Sequence, residues 1–401
     1  MKNISNNLII ATGFLIPLGV ATQNISLLLL LIATLLTVKK RKAIKMSDPK
    51  AFILLIFCPL LLILSSLHDI TFLVENPNVF LAVVIPLLLS VRHELARKEI
   101  NKILLAFVIS VSLLSLSKTL VFIYQEGIES ILVFPQKKLA SLLIRYSYLN
   151  LSMYVGSAII FSLYLMKTGI MKKSILIVNS FLLLVFLVLL SSRLILLATL
   201  LTVFLLIMFN TPAKKRFLVT VSFGVFVLTV STTMYFLDLP IVEKMKEAIN
   251  YNNEYSNIKE KWGGRIMRQE IWYCAAALIT EKPIFGHGYN NVQNKLNGCY
   301  ENTSENPVLY RGKSKKNAHN QFLQFTLATG VLGLFAFLTV IFYAIKKSVS
   351  TKDLILFSFI TFAALCFLTE SHLERNHTIY LFYFFVSLLL QQVPYEKSNS
   401  Q

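Results

Sequence analysis

SILIVNSFLLLVFLVLLSSRLILLATLLTVFLLIMF, residues 174–209, is the stretch whose reading decides the fold. As one helix rising 1.5 Å per residue it would reach about 54 Å. The hydrocarbon of a bilayer is only about 30 Å thick. One crossing cannot hold it, so the chain has to turn back inside the stretch. The polar interruption of note is Ser191-Ser192-Arg193. The reading is therefore two membrane helices on a tight hairpin, with Arg193 at the membrane surface.

The rest of the chain repeats the pattern. Of 401 residues, 55 % are hydrophobic and only 15 % charged, and the mean hydropathy is +0.66. Soluble domains carry more charge and break their apolar runs with polar punctuation. About twelve runs are long enough to span, centred at residues 8–20, 24–38, 51–67, 77–91, 103–122, 150–166, 174–190, 194–209, 217–237, 321–345, 354–369 and 378–390. This is the pattern of an all-α polytopic membrane protein. The first run lacks a small-residue cleavage site and leads straight into the second, so it reads as a span and not a cleaved leader. Lys118, inside the fifth run, reads as snorkelling from its outer end.

A net charge of +19 could suggest nucleic acid, but the basic residues sit in short clusters between apolar runs. KKRKAIK (39–45), RHELARKEINK (92–102), KTGIMKK (167–173), AKKR (213–216) and KKSVSTKD (346–353) fall on one side. HDITFLVENPN (68–78) and the Ser191–Ser192 turn fall on the other. Lys/Arg excess marks the cytoplasmic face, so both termini are expected inside. Residues 1–237 then form nine spans, 238–320 a large periplasmic loop with short helices, and 321–401 three more spans and a cytoplasmic tail.

The candidates for chemistry lie on the outer side. In NAHNQFLQFTLATGVLGL (317–334), His319 stands where a polar loop becomes an apolar helix. On an ideal helix Thr326, Gly330 and Gly333 return to the angle of His319, giving one stripe with the imidazole at its outer end and small residues below. The plainer reading is a ring facing interfacial water. Arg193 is either a snorkelling arginine or one confined by its short hairpin. GGRIMRQEIW (263–272) sets Arg265 and Arg268 at the start of a helix. Guanidinium forks suit phosphate, and cations at a helix N-terminus oppose the dipole; a solvated helix start is the alternative.

RQEIWYCAAALI carries Ile271, Ala275, Leu278 and Ile279 at helical spacing, and EKPIFGHGYN (281–290) breaks it with Pro283 and Gly286-His287-Gly288. His287 reads as a turn residue. In TESHLERNH, residues Glu370, His372, Glu374, Arg375 and His377 could pair with one another or line a site. Cys58 and Cys366 read as small hydrophobes. Cys274 and Cys299 share the large loop, where an oxidising compartment would permit a disulfide. No His, Cys or acidic cluster has metal-ligand spacing.

These segments together are similar to a known family. His319-Asn320 followed by Gly330 and Gly333 resembles the histidine motif of the O-antigen ligases. Arg193 in LLSSRLILLA resembles the arginine that family carries at the outer end of a span. RQEIWYCAAALITEKPIFGHGY (268–289) looks like its second arginine segment. The architecture matches along the whole chain, the motifs from about residue 185 to 335.

Membership implies a GT-C-like glycosyltransferase of the bacterial inner membrane. It would move O-polysaccharide from undecaprenyl diphosphate to a hydroxyl of lipid A–core on the periplasmic side, without metal, ATP or another cofactor. By position, His319 would be the base, and Arg193 and Arg268 would bind the diphosphate. Arg265 lies close enough to compete for the second arginine role. An O-antigen polymerase and a protein O-oligosaccharyltransferase are near rivals within the wider family. A transporter would place its ionisable groups at mid-membrane.

Overall fold

Residues 174–209 do turn back on themselves. Two helices, Lys173–Leu189 and Arg193–Asn210, are joined through Ser191, whose φ of 48° reverses the chain in a few residues. The computed structural model describes residues 2–38, 48–91, 95–131, 136–236, 264–304, 309 and 316–391. The expected loop segment 238–263, with Trp262, and the whole basic cluster 39–45 lie outside the described residues.

Among the described residues the chain is helical, with no β-strand. In order the helices are α1 Lys2–Leu15, α2 Val20–Val38, α3 Pro49–Leu64, α4 Ile70–Glu75, α5 Asn78–Ser90, α6 Arg97–Glu126, α7 Gln136–Ser141 and α8 Tyr148–Leu165. The hairpin supplies α9 and α10, followed by α11 Ala213–Phe236, α12 Gly264–Glu281, α13 Val292–Thr303, α14 Gln321–Ser350, α15 Leu354–Phe367 and α16 Asn376–Leu390. Each apolar run expected from the sequence lies on one of these helices. Five of them, α2, α6, α8, α10 and α14, are both long and apolar enough to cross a membrane. Helices α3, α5, α9, α15 and α16 are apolar but shorter. The pattern is that of a multi-pass membrane protein.

Burial sorts the helices into centre and rim. Helix α16 is buried from Thr378 to Leu390 and α8 from Asn150 to Ser162, so both are enclosed on every side. A helix hydrophobic all round belongs in such a centre. Helix α9 at the rim exposes Ile177, Phe181 and Leu182, a face suited to lipid.

The connections meet one another as the charge pattern groups them. Arg97 grips Asp353 through both nitrogens, at 3.0 and 3.2 Å, and donates to Tyr164 at 2.8 Å. Lys347 holds Asp48. These ties join connections that the basic clusters place inside. At the other end the Tyr289 and Asn290 amides donate to Ser65 and Ser66, each at 3.2 Å, and Tyr146 donates to the Pro17 carbonyl at 2.8 Å.

Two expectations need correcting. Lys118 does not snorkel: it is fully buried, and its ammonium donates to the carbonyls of Ala140 (2.8 Å), Leu142 and Ile144 (2.9 Å). A buried ammonium has three N–H groups to satisfy, and the loop before α8 supplies three acceptors.

The His319 stripe is not continuous either. Helix α14 begins at Gln321, after Asn320 as its cap, and breaks at Gly330, where φ is 66°. The break frees the Leu327 carbonyl and the Val331 amide, which an unbroken helix would pair. Residues 283–288 fill the gap: His287 N–H donates to Leu327 O at 2.8 Å, Gly288 N–H to Ala328 O at 3.0 Å, and Val331 N–H to Pro283 O at 2.8 Å. Non-helical backbone inside an apolar bundle survives only when its polar groups are satisfied in this way. A Cβ on Gly330 would stand 2.1 Å from the Ile284 oxygen, so only glycine fits.

Candidate functional site

Helix α14 begins at Gln321, and the geometry of that start fixes His319. The Asn320 side chain accepts from the amides of Phe322 and Leu323 at 2.9 and 3.1 Å, an N-cap that satisfies free donors of the first turn. Its own amide donates to Ser371 Oγ at 3.2 Å, and its Nδ2 to Leu368 O at 3.0 Å. Gln321 accepts from the Leu373 amide at 2.7 Å. The loop between α15 and α16 is thereby docked on the helix start. His319 itself has a φ of 46°, a left-handed conformation costing a non-glycine residue about 1–3 kcal/mol.

That docking places Glu370 on the imidazole. His319 Nδ1 and Glu370 Oε1 are 2.6 Å apart. The second Glu370 oxygen lies 3.6 Å from a guanidinium nitrogen of Arg268. Burial pushes the Glu370 carboxyl up, but the hydrogen bond and charge of His319, then His372 and Arg268, bring it below the ordinary glutamate value. The carboxylate is thus ionised at neutral pH and can only accept. It therefore selects the tautomer with the proton on Nδ1, which leaves a lone pair on Nε2. That nitrogen is buried and has no hydrogen-bond partner among the described residues.

Arg268 comes from α12, whose buried face carries Ile271, Ala275 and Leu278 as the spacing predicts. Cys274 on this helix is bonded to Cys299 on α13, so the disulfide expected as permissible is formed. Helix α12 ends at Glu281, ahead of Pro283, and His287 closes it with Nε2 2.7 Å from Leu278 O. Arg193 opens α10 and shares a neighbour with the other two: Tyr148, at the start of α8, feels the charges of Glu370, Arg268 and Arg193. The side chain of Arg265 lies outside the described residues.

The structure thus joins His319 and Arg268 through one carboxylate, and brings the charge of Arg193 within reach of the same tyrosine that feels Glu370 and Arg268. Glu370 was one of five polar residues of its loop with nothing in the sequence to single it out. Tyr148 carried no signal at all. Two titratable groups stand nearby, His372 buried and Glu374 half-buried. Burial lowers His372 to about 4, against the pull of Glu370, so its ring is neutral. Burial raises Glu374 to about 7, despite the opposing contacts of Tyr289, Arg375 and Gln324. Among the described residues no three His, Cys, Asp or Glu side chains gather in a metal-holding arrangement.

The chain has relatives among known proteins. Residues 178–338 match the family model of the O-antigen ligases. A protein of Rickettsia typhi, provisionally named a polysaccharide ligase, is 31 % identical over 125 residues, 30 % of this chain and 29 % of that one. One of Rickettsia prowazekii with the same provisional name is 28 % identical over the same length, 30 % of this chain and 29 % of its own. The chain matches these relatives over less than a third of their length. Arg193, Arg268 and His319 fall inside the matched segment, and Glu370 beyond its end. The similarity to the O-antigen ligases is thus confined to residues 178–338.

Proposed function

We propose that the chain is an O-antigen ligase. It joins O-polysaccharide, carried on undecaprenyl diphosphate, to a hydroxyl of lipid A–core, without a metal and with inversion at the anomeric carbon. The reaction takes place at the periplasmic face of a bacterial inner membrane, with residues 238–320 outside and both termini in the cytoplasm. The observation that carries this reading is the His319–Glu370–Arg268 constellation, with a 2.6 Å contact on Nδ1 and an unpartnered Nε2.

The acceptor hydroxyl gives its proton to His319 Nε2 as its oxygen bonds to the anomeric carbon. Histidine titrates near neutrality and suits that exchange. On the opposite side of that carbon the bond to the diphosphate oxygen breaks, and the electron pair leaves with the carrier. Arg193 and Arg268 neutralise the charge that develops there; fixed cations in a partly dehydrated site need no reorganisation as the reaction proceeds. Glu370 holds the ring and stabilises its protonated form. The 3.6 Å spacing between Arg268 and Glu370 is longer than a hydrogen bond, so the fork keeps N–H groups for the diphosphate.

The test is attachment of O-antigen to core in a ligase-null strain and in a purified reaction of lipid-linked O-antigen with rough lipopolysaccharide and EDTA. His319→Ala is expected to abolish attachment, with the protein still present in the membrane; full attachment sinks the assignment. Deletion of the gene separates ligase from polymerase. Loss of a ligase leaves polymerised chains on the carrier and bare core, whereas loss of a polymerase leaves core capped with single repeats.

A further inference from the structure

The left-handed backbone of His319 needs something to hold it, and the contacts around the preceding residue supply it. Ala318 is fully buried, and both of its backbone polar groups are taken by side chains. Its N–H donates to Gln324 Oε1 at 3.0 Å. Its carbonyl accepts from the indole Nε1–H of Trp272, also at 3.0 Å. That carbonyl lies in the same peptide plane as the His319 nitrogen, so fixing it fixes the rotation about the His319 N–Cα bond. The His319 amide is tied separately, to Asn317 Oδ1 at 3.1 Å.

The donor on the carbonyl side comes from far away in sequence. Trp272 lies one turn beyond Arg268 on α12, so one helix supplies both the cation facing Glu370 and the pin on the Ala318 carbonyl. Trp272 is 39 % exposed, a poor location for a residue whose value is packing. What is specific about Trp272 is its N–H. Helix α12 has its own anchors, the buried Ile271, Ala275 and Leu278 and the Cys274–Cys299 bond. Losing the indole N–H leaves those in place.

We propose that Trp272 is a positioning residue for His319: its indole N–H pins the Ala318 peptide and keeps the imidazole on Glu370 with Nε2 facing the acceptor. The proposal rests on the reading of His319 as the base. Without the pin the peptide plane rotates, His319 relaxes toward negative φ, and Nδ1 leaves the carboxylate. Binding of the donor through the arginines does not depend on that plane. The expected signature is therefore a loss in kcat with little change in the donor KM.

The test uses the full-length protein, with analogues placed at codon 272 by suppression, since Trp262 is the second tryptophan of the chain. β-(3-Benzothienyl)alanine keeps the shape of the side chain and replaces N–H by sulfur; 7-azatryptophan keeps the N–H. Reaction of lipid-linked O-polysaccharide with rough lipopolysaccharide is followed at varied donor concentration. The benzothienyl protein is expected to lose tenfold to about 10²-fold in kcat, as misplacement of a reacting group by about 1 Å does. Its donor KM stays within about twofold and its thermal midpoint is that of wild type, while the azatryptophan protein stays near wild-type kcat. Wild-type kcat in the benzothienyl protein overturns the pin, as does a parallel loss of kcat, donor affinity and thermal midpoint. His319→Gln in the same assay separates the two ideas. If it is inactive while the benzothienyl protein is fully active, the pin alone fails; if it is fully active, the base assignment fails.

Discussion

Glu370 serves two partners at once, with His319 on one oxygen and Arg268 on the other. Its substitution is therefore expected to act on the base and not merely on charge. Glu370→Gln keeps size and polarity, but its amide can present an N–H to Nδ1 and favour the tautomer that places the proton on Nε2. A loss on the order of 10²- to 10⁴-fold in kcat is expected, the range a positioned general base contributes; a loss under threefold would remove Glu370 from the mechanism. Arg268→Lys keeps a charge but loses the planar fork that matches diphosphate. It is expected to cost more activity than Arg265→Lys in the same assay, and the reverse ranking would move the role to Arg265.

At the scale of elements, the joint between the 283–288 turn and the broken helix α14 is the least tolerant part of the fold. Gly330→Ala combines a φ of 66° with a Cβ 2.1 Å from Ile284 O. Strain and overlap together are expected to cost about 3 kcal/mol or more, read as a lower thermal midpoint in detergent. Gly224 in α11 has nothing within 4 Å of a new Cβ and provides the control. There alanine is expected to be neutral or to stabilise by up to about 1 kcal/mol.

These elements also show where sequence reading stops. Run length and the Ser191-Ser192-Arg193 interruption were enough for the α9–α10 hairpin, because they depend on local composition and helix rise. The break at Gly330 depends on amides and carbonyls supplied from more than forty positions earlier, and no periodicity within residues 321–350 encodes that. Lys118 misled for the same reason: its three acceptors lie on a separate loop. Glu370 stands 51 positions from the histidine it holds, and only docking of its loop on Asn320 and Gln321 singles it out from its polar neighbours.

Over the whole molecule, the connections at the two ends of the helix bundle form separate tied groups, and the titratable residues around Glu370 bear on how stability responds to acid. Glu374, whose ordinary value is 4.5, is raised by burial to about 7. Between those values the folded chain holds a proton that the unfolded chain has released, so this group favours folding increasingly as pH falls from 7 toward 4.5. Glu370, held below its ordinary value, acts in the opposite sense: the stability it provides is present above that value and is lost as pH falls through its depressed one. His372, lowered from 6.5 to about 4, opposes Glu374 over nearly the same range, because there the unfolded chain takes up a proton that the folded one refuses. The thermal midpoint is therefore expected to change little on mild acidification and to fall in stronger acid. Glu374→Gln removes the compensating group and is expected to expose a fall that begins near pH 6.5; an unchanged profile in that variant would remove Glu374 from the balance.

The interrupted span has a consequence for how the chain is made. As residues 321–350 enter lipid, the Leu327 oxygen and the Val331 nitrogen would be stranded in hydrocarbon unless they pair with each other. The segment must then insert as a straight rod, and bend only when the earlier turn arrives to take both groups over. Assembly of the His319 end of the bundle is in that case a late event, a conversion of one finished helix into two that follows insertion.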